Sequence, residues 1–138
     1  LRHNIASEQR LALVVADLLQ TVAAERLQLL IPADPRAHRV FALLEEYPDQ
    51  SGSLARIAET VGTSKRTLER IIQQEMGMSF GRWRQQVRMY MALRLLADNR
   101  SVTDTALQVG YATASGFVFA FREAFGKSPG DYFRGEHA

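Results

Sequence analysis

Between Lys65 and Gln73 the sequence sets Lys65, Arg66, Thr67, Glu69, Arg70 and Gln73 around the apolar Leu68, Ile71 and Ile72. Wound as a helix, the apolar residues take one face and the polar ones the other. The polar set suits base-pair edges. An arginine guanidinium donates two hydrogen bonds to guanine, a glutamate accepts from the cytosine amino group, and a threonine methyl touches the thymine methyl. A charged helix face is usually just solvated. This one follows a turn at Gly62 and forms the second member of a helix pair, which is where a recognition helix sits.

A second segment repeats the first. At a spacing of 48 residues Ala58, Val61 and Gly62 recur as Ala106, Val109 and Gly110, and at 49 Leu68, Ile72, Gly77 and Ser79 recur as Phe117, Phe121, Gly126 and Ser128. One residue is therefore added in the second turn. The copied positions of the exposed face are Ala114, Ser115, Gly116, Val118, Phe119 and Arg122. Ser115 and Arg122 offer polar chemistry; apolar contact with thymine methyls, or a shape fit anchored on phosphates, is open to the others. The alternative is a packing helix with an exposed apolar patch, Phe119 itself being a candidate for burial. The second head is expected to supply affinity more than specificity. Helix N-termini bind phosphate through their free amides. The caps at Ser53, Ser64, Ser101, Thr113 and Ser128, with Arg56, Arg84, Arg122 and Lys127 nearby, are the candidate phosphate contacts.

The elements that must carry these residues are all helices. Leu11, Val14, Val15, Leu18, Leu19 and Val22 predict an amphipathic helix over about 7–24, Leu27–Ile31 a short extended stretch, and Pro32 to Pro35 a linker. A helix from Pro35 to Tyr47 ends before Pro48, and a loop runs from Asp49 to Ser53. The first helix-turn-helix then covers about 53–76, a linking helix about 79–98 with Phe80, Trp83, Val87, Met91 and Leu95 as its stripe, and the second helix-turn-helix about 101–126. Ser101 with Asp104 reads as a capping box, and Ser128-Pro129 opens a last short helix to about Arg134. The expected fold is all-α, with two helix-turn-helix subdomains joined by a long helix and preceded by an extra N-terminal one.

Composition narrows the partner. Residues 1–50 carry five Arg against seven acidic side chains, and residues 51–138 carry twelve Lys and Arg against eight, so the formal +2 resolves into −2 and +4. The basic half coincides with the repeat, where a polyanion would need it. There is no cysteine, hence no disulfide and no thiolate metal site, which is compatible with a reducing cytoplasm. The apolar run from Leu11 to Val22 is broken by Asp17, Gln20 and Thr21, short of a membrane span. His3, His38 and His137 share no ligand or triad spacing, Glu45-Glu46 are helix neighbours, and no glycine-rich phosphate loop is present, so neither catalysis nor a cofactor is expected. Leu1 in place of Met is taken as a sign of sequence upstream. The rival to DNA binding is a helical protein-interaction module, which would account for Leu11–Val22 and leave the repeat unexplained.

With these residues in view the sequence resembles the AraC/XylS family of bacterial transcription regulators over about residues 35–134. The resemblance rests on Gly110-Tyr111, on Phe117-x-x-x-Phe121-Arg122-x-x-Phe125-Gly126-x-Ser128-Pro129-x-x-Tyr132-Phe133-Arg134, on Gly62-x-Ser64-x-Arg66-Thr67-Leu68-x-Arg70, and on Gly77-Met78-Ser79-Phe80-x-x-Trp83-Arg84. It implies two recognition helices in successive major grooves. It carries base contact onto Arg66, Thr67, Glu69 and Arg70, with Lys65 beside them, and onto Ala114, Ser115 and Val118. It further implies double-stranded DNA and RNA polymerase as partners. Residues 1–34 are similar to the tail of a cupin-type sensing domain, which would make the helix over 7–24 a homodimerisation helix.

Overall fold

The structure is a computed structural model and describes residues 2–47 and 52–134, so the expected loop lies outside the described residues up to Ser51, as does His137. Eight helices follow in order among the described residues: α1 (Arg2–Leu29), α2 (Pro35–Glu46), α3 (Leu54–Thr60), α4 (Lys65–Met76), α5 (Phe80–Ala97), α6 (Val102–Gln108), α7 (Ala114–Phe125) and α8 (Pro129–Arg134).

Local chemistry explains where they start. Ser53, Ser64, Ser79, Ser101 and Thr113 each sit in extended backbone, and each hydroxyl oxygen accepts the N–H three residues on. Asp34 caps α2 by accepting from the Arg36 N–H at 2.9 Å, with Pro35 in the first turn. The turns repeat as the sequence does. Gly62 at φ +79° and Gly110 at φ +94° occupy the left-handed region, which a side chain would strain. Beside them the Thr63 N–H donates to Ala58 O, and the Tyr111 N–H donates to Ala106 O, both at 2.9 Å. Thr63 alone separates Gly62 from its cap, whereas Tyr111 and Ala112 separate Gly110 from Thr113, and this is the added residue.

Two cores hang on α5. Phe80, Trp83 and Val87 join Leu68, Ile71 and Ile72 of α4 and Val40, Phe41 and Leu44 of α2. Met89, Ala92, Leu93 and Leu96 join Val109 with Phe117 and Phe121 of α7. Because α5 is clasped from several sides, Met91 and Leu95 of the expected stripe are half-buried while Met89 and Leu93 are fully covered.

The N-terminal region departs most from expectation. Leu27 is not extended: α1 continues to Leu29, and Leu27 and Leu30 are buried in the first core while Ala23 is buried in the second. Tertiary burial along α5 overrides the strand preference of a short Leu/Ile run. The apolar stripe read from the sequence does not face this core. Leu11, Val14, Val15, Leu18 and Val22 are all exposed, Leu18 by 60%. The junction that follows is held firmly: the Glu75 carboxylate accepts from the Ala33 N–H at 2.7 Å and the Asp34 N–H at 3.1 Å.

Candidate nucleic-acid interface

The site is built from α4 and α7, each the second helix of its unit. On α4, Leu68, Ile71 and Ile72 are buried and fix the rotation of the helix. That rotation turns Lys65, Arg66, Glu69, Arg70 and Gln73 outward, with Thr67 half-buried. Thr67 is held at the helix start, where its N–H donates to Ser64 Oγ at 3.1 Å and its Oγ1 accepts from the Ser64 hydroxyl at 2.8 Å. The exposed side chains of α4 form one wall of a shallow groove whose other wall is Ser79, Phe80, Gly81 and Arg84 at the start of α5.

Arg84 has a structural task there. It donates to the Gly52 carbonyl at 2.8 Å and lies 5.6 Å from the Phe80 ring centroid, tying the residues before α3 to the linking helix. Ser53 and Arg56 are exposed at the start of α3. Between the units, Arg88 of α5 is half-buried near Tyr111 in the second turn. Burial, and then the neighbouring Arg84 charge, push the Arg88 guanidinium down, while burial pushes the Tyr111 phenol up.

On α7, Phe117, Ala120 and Phe121 are buried. Phe117 stacks on Tyr111 edge to face at 5.7 Å, and Phe121 packs on Phe125 at 4.6 Å and on Tyr132 of α8 at 5.7 Å. Ala114 and Val118 are half-buried, whereas Ser115, Gly116 and Arg122 are exposed. Thr113 is an exposed cap, and Lys127 and Ser128 are half-buried before α8. Phe119 is not buried: it is 69% exposed, against the burial suggested for it from the sequence. With Phe117 and Phe121 turned inward on one face, a residue midway between them points outward. Sequence reasoning left Phe119 out of the base-contacting set, although its register copy in the first unit is Arg70.

Lys65, Arg66, Glu69 and Arg70 thus share one outer face of α4, and Ser115, Phe119 and Arg122 lie exposed on the equivalent helix of the second unit. Among the described residues no cluster of three or more His, Cys, Asp or Glu is placed to hold a metal, and no helix is long and apolar enough to cross a membrane. Two helix-turn-helix units on one connecting helix define a bipartite DNA-binding architecture.

Comparison with known proteins agrees. A helix-turn-helix domain model matches residues 57–135, and the chain belongs to the AraC/XylS family of helix-turn-helix proteins. The transcriptional regulator NimR of Escherichia coli is 32% identical over 124 residues, covering 90% of this chain and 45% of NimR. RipA of Corynebacterium glutamicum, also a transcriptional regulator, is 36% identical over 106 residues, covering 77% of this chain and 32% of RipA. The chain therefore spans less than half the length of either relative. Among solved structures, the C-terminal domain of AraT, a response regulator from Geobacillus stearothermophilus, superposes with a TM-score of 0.66 at 31% identity, covering 76% of this chain and 92% of that one. The DNA-binding domain of AdpA in complex with a target DNA superposes with a TM-score of 0.65 at 28% identity, covering 74% of this chain and 92% of that one.

Proposed function

We propose that the chain is the DNA-binding part of a bacterial transcription regulator acting in the cytoplasm without catalysis, and that α4 and α7 dock in successive major grooves. The observation that carries this is the outer face of α4, where Arg66, Glu69 and Arg70 project together from a helix locked by Leu68, Ile71 and Ile72. Lys65, Arg66, Thr67, Glu69 and Arg70 contact bases in the first unit; Ala114, Ser115 and Val118 do so in the second. Ser53, Arg56, Ser64, Thr113, Arg122, Lys127 and Ser128 contact phosphates, with Arg84 ordering the start of α3 beside them. The relation to a domain solved with its target DNA supports the same reading.

Selection of bound duplexes from a random pool tests it. Two preferred blocks about 10 base pairs apart are expected, with affinity falling as salt rises. Recovery of random sequence, or binding indifferent to salt, would overturn the reading.

The exposed stripe on α1 supports a second partner, another copy of this chain. Leu11, Val15, Leu18 and Val22 follow a 4-3-4 spacing, which is the seam of a two-stranded coiled coil, and all four are exposed. Contact with RNA polymerase completes the proposed partners and rests on the family alone.

A further inference from the structure

We infer that Phe119 is a specificity-determining residue that reads the 5-methyl groups of thymine in the groove occupied by α7. The inference rests on the docking of α7 proposed above.

The two recognition helices are framed alike. Each starts after a hydroxyl cap, Ser64 or Thr113, and each ends at a left-handed glycine, Gly77 at φ +69° or Gly126 at φ +81°. Counting from the caps, Phe119 stands where Arg70 stands, at the centre of the outward face. Its ring is 69% exposed although aromatic rings abound on the same helix, and the others, Phe117, Phe121 and Phe125, pack inward. Singly exposed apolar residues are ordinary on protein surfaces. This one is distinguished by its neighbours, because the preceding turn is Ala114, Ser115 and Gly116, which carry almost no side chain. A bare first turn lets the helix sit deep in the groove, and the ring is then the longest apolar group on that face.

A phenyl ring cannot accept or donate to base edges as Arg70 does. What the major groove offers an apolar group is the thymine methyl, and phenylalanine is one of the side chains that contact it. Half-buried Val118 beside it extends the apolar patch, and exposed Arg122 one turn on supplies a cation for the flanking backbone. The two units therefore read by different chemistry, hydrogen bonds through α4 and methyl contact through α7.

The test uses the whole chain and duplexes selected from the random pool. Each thymine of the two blocks is replaced in turn by deoxyuridine, which keeps every hydrogen-bonding group and removes the methyl. The wild-type chain is expected to lose about fourfold in affinity for each contacted methyl removed from the block opposite α7. At the thymine whose methyl the ring contacts, Phe119→Ala is expected to bind the thymine and deoxyuridine duplexes equally, and Phe119→Leu to keep part of the preference. Circular dichroism checks that both variants retain helix, as substitution of an exposed residue should. If deoxyuridine is tolerated throughout that block while Arg70→Ala still relaxes the other, α7 docks without reading methyls and this inference fails alone. If no block emerges for the wild-type chain, the docking itself is wrong and the inference falls with it.

Discussion

The indole N–H of Trp83 donates a 2.9 Å hydrogen bond to the carbonyl of Leu30, joining the middle of the fold to the end of α1 across 53 residues of sequence. Trp83 is fully buried against Phe41 and Phe80, so the bond forms away from solvent. Trp83→Phe keeps much of the packing and orphans a buried acceptor. It should cost about 1–3 kcal/mol in chemical denaturation, whereas an unchanged midpoint would mean that the bond is solvated.

At the interface, Arg70→Ala and Lys127→Ala should separate reading from anchoring. The first is expected to cost about 1–3 kcal/mol at one base pair and relax preference there, and the second to weaken all sequences alike. Binding measured on selected and random duplexes checks this. Equal losses on both duplexes for Arg70→Ala would remove it from the reading set.

Self-association through α1 is checked by Leu18→Asp. Sedimentation equilibrium should show a concentration-dependent dimer for the wild-type chain and a monomer for the variant, since a carboxylate in a coiled-coil seam loses its hydration. A wild-type chain that stays monomeric at high micromolar concentration would dismiss the seam.

Asp34 gives the fold an acid-sensitive point. Its hydrogen bond to the Arg36 side chain holds its carboxyl near 2 against an ordinary 3.8, and the two form an ion pair at 2.9 Å. A depressed carboxyl pKa stabilises the folded state fully above the unfolded value, and that contribution disappears as pH falls through the folded one. The stability difference between wild type and Asp34→Asn should therefore shrink between about pH 4 and pH 2. A difference that holds constant across that window would show that the cap works without its charge.

Thr105, fully buried in α6, has a side-chain hydroxyl without a hydrogen-bond partner. Thr105→Val replaces that hydroxyl with a methyl of similar shape, and should leave stability unchanged or raise it by about 1 kcal/mol in thermal unfolding. Clear destabilisation would show that the hydroxyl is partnered in solution.

Helix starts were legible because a cap is a local event: Ser64 answers to the amide of Thr67 three residues on, and no distant partner is needed. The turns were legible for the same reason, since the repeat placed glycine where positive φ is required. The end of α1 was not. Leu27 reads as strand or helix by local preference, and burial against α5 settles it from afar. Periodicity likewise gathered Leu11 to Val22 on one face of α1 without saying what that face meets. Phe119 stood between two readings: its angle to Phe117 and Phe121 turns it outward, residue type favours burial, and the packing of Phe117 and Phe121 into the second core decides for exposure.

The grip of Glu75 on the backbone of Ala33 and Asp34 bears on operator architecture. A junction tied to the end of α4 by two hydrogen bonds is restrained from swivelling. Two copies joined through α1 would present their reading helices at a separation the protein dictates. Moving one half-site by half a turn of the duplex would then place it on the far side of the DNA, with little slack in the polypeptide to follow it.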